Sequence, residues 1–136
     1  MKSLICSKPE ILIKSKTILG EGPLWNHKTS ELSFVDILSK RFFIWKNNIL
    51  KTYNISCKIS CLLPTGNKKT WIAASKNKII KIFIKNKKIK TTVISVVNES
   101  AHNRFNDGKS DSLGRLWLSS MDNNQKLKTG KLWFFK

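Results

Sequence analysis

Acidic side chains are the first scarcity in this sequence: eight Asp and Glu stand against 26 Lys and Arg, a formal charge of +18 over 136 residues. Such an excess ordinarily points to nucleic acid or an anionic membrane. A second scarcity removes the sequence-specific form of that reading. Only Arg41, Arg104 and Arg115 are arginines, and arginine is the side chain that reads guanine edges and forks onto phosphate. The lysines, among them Lys14, Lys16, Lys40, Lys46, Lys51, Lys58, Lys68, Lys69, Lys76, Lys78 and Lys81, are scattered and do not gather on one expected face. Joint abundance of Lys, Asn and Ile is the mark of an A/T-rich coding sequence, and a solvated lysine surface needs no partner. No specific nucleic-acid partner is expected. The densest run, "KNKIIKIFIKNKKIK" at 76–90, is the one candidate for weak, salt-sensitive polyanion binding.

Cysteine is also sparse. Cys6, Cys57 and Cys61 are odd in number, and Cys57 and Cys61 stand four apart with no histidine near them, which excludes a C-x-x-C zinc or redox site. Reduced thiols in a reducing compartment are expected. Long apolar runs are absent, so no membrane helix is expected. The opening "MKSLICSKPEI" is too short for a signal-peptide core. The expected location is cytoplasmic.

What is present is strand pattern. The segments 10–15, 31–37, 41–46, 69–75, 78–85, 90–97, 115–120 and 131–135 are short, rich in β-branched or aromatic residues, and bounded by Asn, Gly, Lys or Ser. No amphipathic helix stands out, and the expected class is all-β. Beneath the strands lies a repeat. "SELSFVDILSKRFFIWK" (30–46), "KTWIAASKNKIIKIFIK" (69–85) and "GRLWLSSMDNNQKLKTGKLWFFK" (114–136) share one plan of turn, apolar strand, hairpin and second apolar strand. Leu32, Thr70 and Leu116 hold equivalent places, a mean period of about 42 residues, the length of one four-stranded propeller blade. About three blades fit, whereas propellers close with about 4–8. A partial β-propeller with open edges is expected.

Two stretches carry chemistry. In "LGEGPLW" (19–25), glycines flank Glu21 and Pro23 stiffens the exit, so a carboxylate is held in a tight turn. That placement suits a hard divalent cation, and a solvated loop would read the same way. In "HNRFNDGKSDSLGRLWLSSM" (102–121), Arg104 and Asn106 stand two apart on an extended segment and share a face, with Phe105 directed into packing. Arg104 suits a hydroxyl-rich or anionic ligand, and Asn106 offers a donor and an acceptor. On local grounds the pair serves a hairpin or a ligand equally well. Asn106-Asp107-Gly108 is expected to be a tight turn, with Asp111 capping the next turn before Gly114. The spacing of a calcium-binding loop is absent. His27 and His102 are lone and read as surface or packing residues.

"LGEGPLWNHKTSELSFVDI", followed some 80 residues later by "NRFNDGKSDSLGRLWLSSM", resembles the gluconolactonase family, the group of regucalcin (senescence marker protein) and luciferin-regenerating enzyme. The resemblance runs from about Ile13 to Lys136. It implies a six-bladed propeller with a divalent metal (calcium, zinc, manganese or magnesium) at the axial tunnel, hydrolysing sugar lactones such as gluconolactone. Carried over by position, Glu21 is a metal ligand, and Arg104 and Asn106 bind substrate. An acidic substrate contact of some members falls among Asp122, Asn123 and Asn124.

The resemblance also implies that the family's other metal ligands, an asparagine and the aspartate that acts as base, come from later blades. Residues 1–136 are therefore expected to be the N-terminal portion of such a domain, with no catalytic residue of their own and one candidate metal ligand. Three outcomes follow: a truncated lactonase, a non-catalytic remnant of a decaying gene, or half of a split enzyme. The expected partners are a sugar lactone, a complementary propeller half or a second copy of the chain.

Overall fold

The computed structural model describes residues 8–136, all-β, with no helix among the described residues and hence none long and apolar enough to cross a membrane. Cys6 and the opening segment up to Ser7 lie outside the described residues. Among the described residues eleven strands form three antiparallel meanders. The first is β1 (Gly20–Asn26), β2 (Glu31–Asp36), β3 (Arg41–Lys46) and β4 (Ile49–Asn54). The second is β5 (Cys61–Pro64), β6 (Thr70–Ser75), β7 (Lys78–Lys85) and β8 (Lys88–Val96). The third is β9 (Asn103–Ser110), β10 (Leu116–Asp122) and β11 (Leu132–Phe135), so its described part has three strands rather than the expected four.

The repeat is realised in the pairing register. Leu32, Thr70 and Leu116 face Trp45, Phe83 and Phe135 across the central hairpin of their sheets. The next hairpins, β3–β4 and β7–β8, turn tightly because their two-residue loops sit in the left-handed region, at Asn47-Asn48 and Asn86-Lys87. Asparagine tolerates that region better than other side chains do, and the turn it forms matches the twist of paired strands.

The core lies between the sheets. Val35, Phe42, Ile59, Leu62, Ala73 and Ile82 fill the space between the first and second. Cys61, Ala74, Ile79, Val97, Phe105 and Leu118 fill the smaller space between the second and third. Each blade therefore buries its apolar face only against the next, as repeat architectures require. β5 packs against β1 on one side and against β9 on the other. The three first strands thus neighbour one another on the inner side.

Two expectations fail. Residues 10–15 form no strand, and Ile11 and Leu12 are 77% and 63% exposed; their β-branched pattern found no partner edge. The expected turn at 106–108 lies inside β9, where the ladder to β10 shifts between Leu118 and Ser120. Asn106 and Asp107 form a bulge, and the Asp107 N–H is satisfied by the Ser119 hydroxyl at 3.2 Å. The Asp111 turn is as expected: one carboxylate oxygen accepts the N–H groups of Leu113 and Arg115, each at 3.0 Å.

Gly108 marks the closest approach of β9 to its neighbours. A Cβ there would run into Leu118 Cδ2 and stand 2.8 Å from Cys61 Sγ. Gly108→Ala is expected to lower unfolding free energy by about 1–3 kcal/mol through overpacking, read from the urea midpoint. An unchanged midpoint would show that the seam between the second and third sheets is looser than described.

Candidate functional site

β1 opens on Gly20-Glu21-Gly22, and the pairing with β2 slips between Glu21 and Leu24. Gly22 takes φ +60, which an L side chain enters only with strain. Conformation and not space is the reason for glycine: a Cβ at Gly22 would make only ordinary contact, 3.7 Å from the Ser60 carbonyl oxygen and 3.8 Å from Cys61 Cα. Pro23 is tolerated because the bulge leaves its position out of the ladder. The expected turn at Glu21 is thus a bulged strand start. Its carboxylate is exposed, accepts no hydrogen bond and forms no ion pair among the described residues.

Cys61 links this corner to β9. It faces the Gly22 backbone on one side and Gly108 on the other. Burial pushes its thiol up to about 11, only partly offset by hydrogen bonds from the Ala74 and Ser60 region, so it is a packing residue and not a nucleophile. Cys57 and Cys61 are both free thiols.

On β9 the Lys76 carbonyl accepts the Phe105 N–H at 2.7 Å, and Phe105 is buried. That fixes its neighbours. The Arg104 guanidinium donates to the Phe105 carbonyl at 3.0 Å and to Asn106 Oδ1 at 3.3 Å. The structure therefore brings Arg104 and Asn106 together. Their remaining donors, the free guanidinium N–H groups and the Asn106 amide N–H groups, are what a polyhydroxylated ligand would meet. It does not bring Glu21 into contact with either: β5 stands between β1 and β9.

The three acid-contact candidates separate clearly. Asp122 is buried, and one carboxylate oxygen accepts Lys126 N–H at 2.8 Å and Leu127 N–H at 3.1 Å. Those bonds hold its carboxyl below the usual range and tie it to the β10–β11 connection. Only Asn123 and Asn124 reach the open groove beside Arg104.

That groove has a volume of about 710 Å³ and is lined by Lys40, Lys58, Lys76, Lys78, His102 and Arg104 among others; neither Glu21 nor Asn106 lines it. Four lysines thus border this groove, and the others lie outside its lining. Ser39-Lys40 and Ser75-Lys76 occupy the same turn of successive blades, with φ 51 and 54 at the two lysines. The repeat itself was the signal that could have brought them together in the sequence.

The profile of the SMP-30/Gluconolactonase/LRE-like region matches residues 19–136. The chain belongs to this family. It is 31% identical to regucalcin of Danio rerio over 121 residues, which is 88% of this chain and 40% of the relative. Among solved structures it is similar to a luciferin-regenerating enzyme, with a TM-score of 0.78 and 27% identity over 88% of this chain and 42% of the other. A calcium-binding regucalcin from Agrobacterium tumefaciens shares the fold, with a TM-score of 0.79 and 18% identity over 91% of this chain and 42% of that one. The three meanders are thus blades of a regucalcin-type β-propeller, and the chain spans about 40% of the length of the curated relatives it matches.

A divalent cation is the group this regucalcin-type fold implies. Among the described residues no three His, Cys, Asp or Glu converge as a metal-binding set. A hard cation takes about six to eight oxygen ligands, and the unpaired Glu21 carboxylate suits one of those positions. Residues 8–136 therefore hold no complete ligand set for such a cation.

Proposed function

We propose that this chain forms part of a metal-dependent sugar-lactone hydrolase, contributing Glu21 as a metal ligand and Arg104 and Asn106 as contacts to the lactone oxygens. The observation that carries the reading is the Arg104–Asn106 pair, locked side by side on a bulged inner strand with donors left over. Membership of a family that includes gluconolactonases supports the reaction class. A cation held in part by Glu21 would supply Lewis-acid chemistry there, polarisation of the lactone carbonyl and a lowered pKa for a bound water. What these residues do is orient: Phe105 is anchored in the core, so the Arg104 guanidinium and the Asn106 amide meet the substrate without first being ordered.

A second reading, a non-catalytic remnant, is favoured by one observation: Glu21 stands without fellow ligands among the described residues. The split-enzyme reading needs a complementary propeller half to supply them. Hydrolysis of gluconolactone with calcium, zinc or manganese, by the chain alone and with a complementary half, separates the three. The lactonase reading expects metal-stimulated hydrolysis that Glu21→Gln abolishes. It also expects Arg104→Met to raise KM at least tenfold, the scale of one or two lost charge-assisted hydrogen bonds. Hydrolysis indifferent to Glu21→Gln would sink the metal assignment, and no hydrolysis in any mixture would leave the remnant.

A further inference from the structure

The groove beside Arg104 carries an anion-binding character that the lactonase reading does not use. Its lysines come from separate places: Lys40 from the β2–β3 turn, Lys58 from the segment before β5, Lys76 from the β6–β7 turn and Lys78 from the first position of β7. All lie at the end of the blades where β1, β5 and β9 begin, because every second hairpin and every blade-to-blade connection returns there. Among the described residues no carboxylate lines the groove, and none of these four lysines forms an ion pair.

Composition alone does not explain that purity, since acids are present at the same end and are turned inward. Asp36 is fully buried and accepts the N–H groups of Ile18, Leu19 and Ser39 and an Arg41 guanidinium N–H. Glu99, its side chain 1% exposed, is enclosed by Ser120, Lys131 and Trp133. Asp122 holds the β10–β11 connection. The groove wall adds hydroxyls: Ser75 is 9% exposed and its hydroxyl forms no hydrogen bond among the described residues.

We propose that this groove binds the phosphomonoester of a phosphorylated sugar acid or its lactone, with the sugar directed toward Arg104. The inference rests on the sugar-lactone reading for the sugar half and on the groove for the anion. A phosphomonoester carries about −1.5 to −2 charges and three acceptor oxygens at neutral pH, which suits a groove bordered by four lysines and no carboxylate among the described residues. Lysines serve as point charges here, and a single phosphate needs no bidentate fork.

The test is calorimetric titration of the full chain with 6-phosphogluconate, gluconate and inorganic phosphate at physiological salt, where diffuse attraction is screened beyond about 8 Å. One site is expected for 6-phosphogluconate, roughly tenfold or more tighter than for gluconate or inorganic phosphate. The double variant Lys58→Gln, Lys76→Gln is expected to lose roughly tenfold for 6-phosphogluconate and little for gluconate. Lys88→Gln with Lys90→Gln, on exposed β8 and outside the groove, is expected to bind as wild type. Equal affinity for gluconate and 6-phosphogluconate, no loss in the Lys58–Lys76 variant, or no binding of any probe would overturn the proposal. Inorganic phosphate binding as tightly as 6-phosphogluconate would overturn its sugar half. No lactone hydrolysis by the wild type in any mixture, with 6-phosphogluconate binding retained, counts against the lactonase reading alone, whereas hydrolysis without 6-phosphogluconate binding counts against this proposal alone.

Discussion

Asp36→Ala is expected to lower unfolding free energy by about 3–4 kcal/mol, a large share of the roughly 5–15 kcal/mol typical of a domain. The carboxylate has no solvent exposure, yet it carries a charge, because its surroundings are built entirely from donors. The N–H groups of Ile18 (3.2 Å) and Leu19 (3.1 Å) bring the incoming chain onto the first blade, and that of Ser39 (3.3 Å) closes the β2–β3 turn. Arg41 completes the set at 2.9 Å. Burial alone would raise the Asp36 carboxyl, but these bonds outweigh it and hold the group well below the usual carboxylate range.

Alanine would strand three backbone N–H groups and a guanidinium in one place. Asparagine is no rescue, since its amide adds donors where donors already crowd. The magnitude sits at the low end for a broken buried pair because the Arg41 side chain is 30% exposed and can turn to water. Arg41→Met should cost less, because the three backbone donors remain. Urea unfolding of both variants at pH 7 decides: an Asp36→Ala midpoint within error of wild type would refute the donor-cage account.

Glu99→Gln is expected to cost about 2 kcal/mol at pH 7 and progressively less as the solution is acidified. The segment between β8 and β9 has no regular structure, and Glu99 is what fastens it. Its carboxylate accepts Ser120 Oγ at 2.6 Å, Lys131 Nζ at 2.8 Å, the Ser100 N–H at 2.8 Å and Trp133 Nε1 at 3.2 Å. One side chain thereby pins all three strands of the third blade, with Asn103 Nδ2 as a further donor at 3.2 Å.

Burial again works to raise this carboxyl. The bonds from Lys131, Ser120, Ser100 and Trp133 prevail, lowering it from 4.5 to about 2. A group depressed on folding contributes fully above its unfolded value, and the contribution is lost as pH falls through the folded one. The gap between wild type and Glu99→Gln should therefore be widest above about pH 5 and close between 4.5 and about 2. The estimate stays modest because Lys131 is 51% exposed and solvent screens its charge. Melting temperatures at pH 7, 4 and 2.5 test it; a gap that does not narrow on acidification would mean that the charge of Glu99 contributes nothing.

The central strands were legible because they carry what a local reading detects. β2, β3, β6, β7 and β10 are each flanked by partners and packed between sheets, so they read as apolar runs. The four strands missing from the sequence pattern fail for identifiable reasons. β1 holds two glycines and a proline, which usually break strands, and here serve a bulge against β5. β4 lies on an outer edge and is mostly exposed. β5 has only four residues. β9 has a single apolar residue, Phe105; its extended state is imposed by β10 and by the Lys76 carbonyl.

The sequence by itself determined the all-β class, the blade period, the family resemblance, and Glu21, Arg104 and Asn106 as the residues to watch. It could do so because strand alternation and motif spacing are local properties, written into neighbouring residues. Tertiary structure alone decided that "RFNDG" is a bulged strand rather than a turn, that Asp36 and Glu99 withdraw into donor cages, and that Lys40, Lys58, Lys76 and Lys78 share one groove. Those facts depend on which strand ends return to the same place, and residues far apart along the chain acquire a common electrostatic surface only once the sheets have stacked.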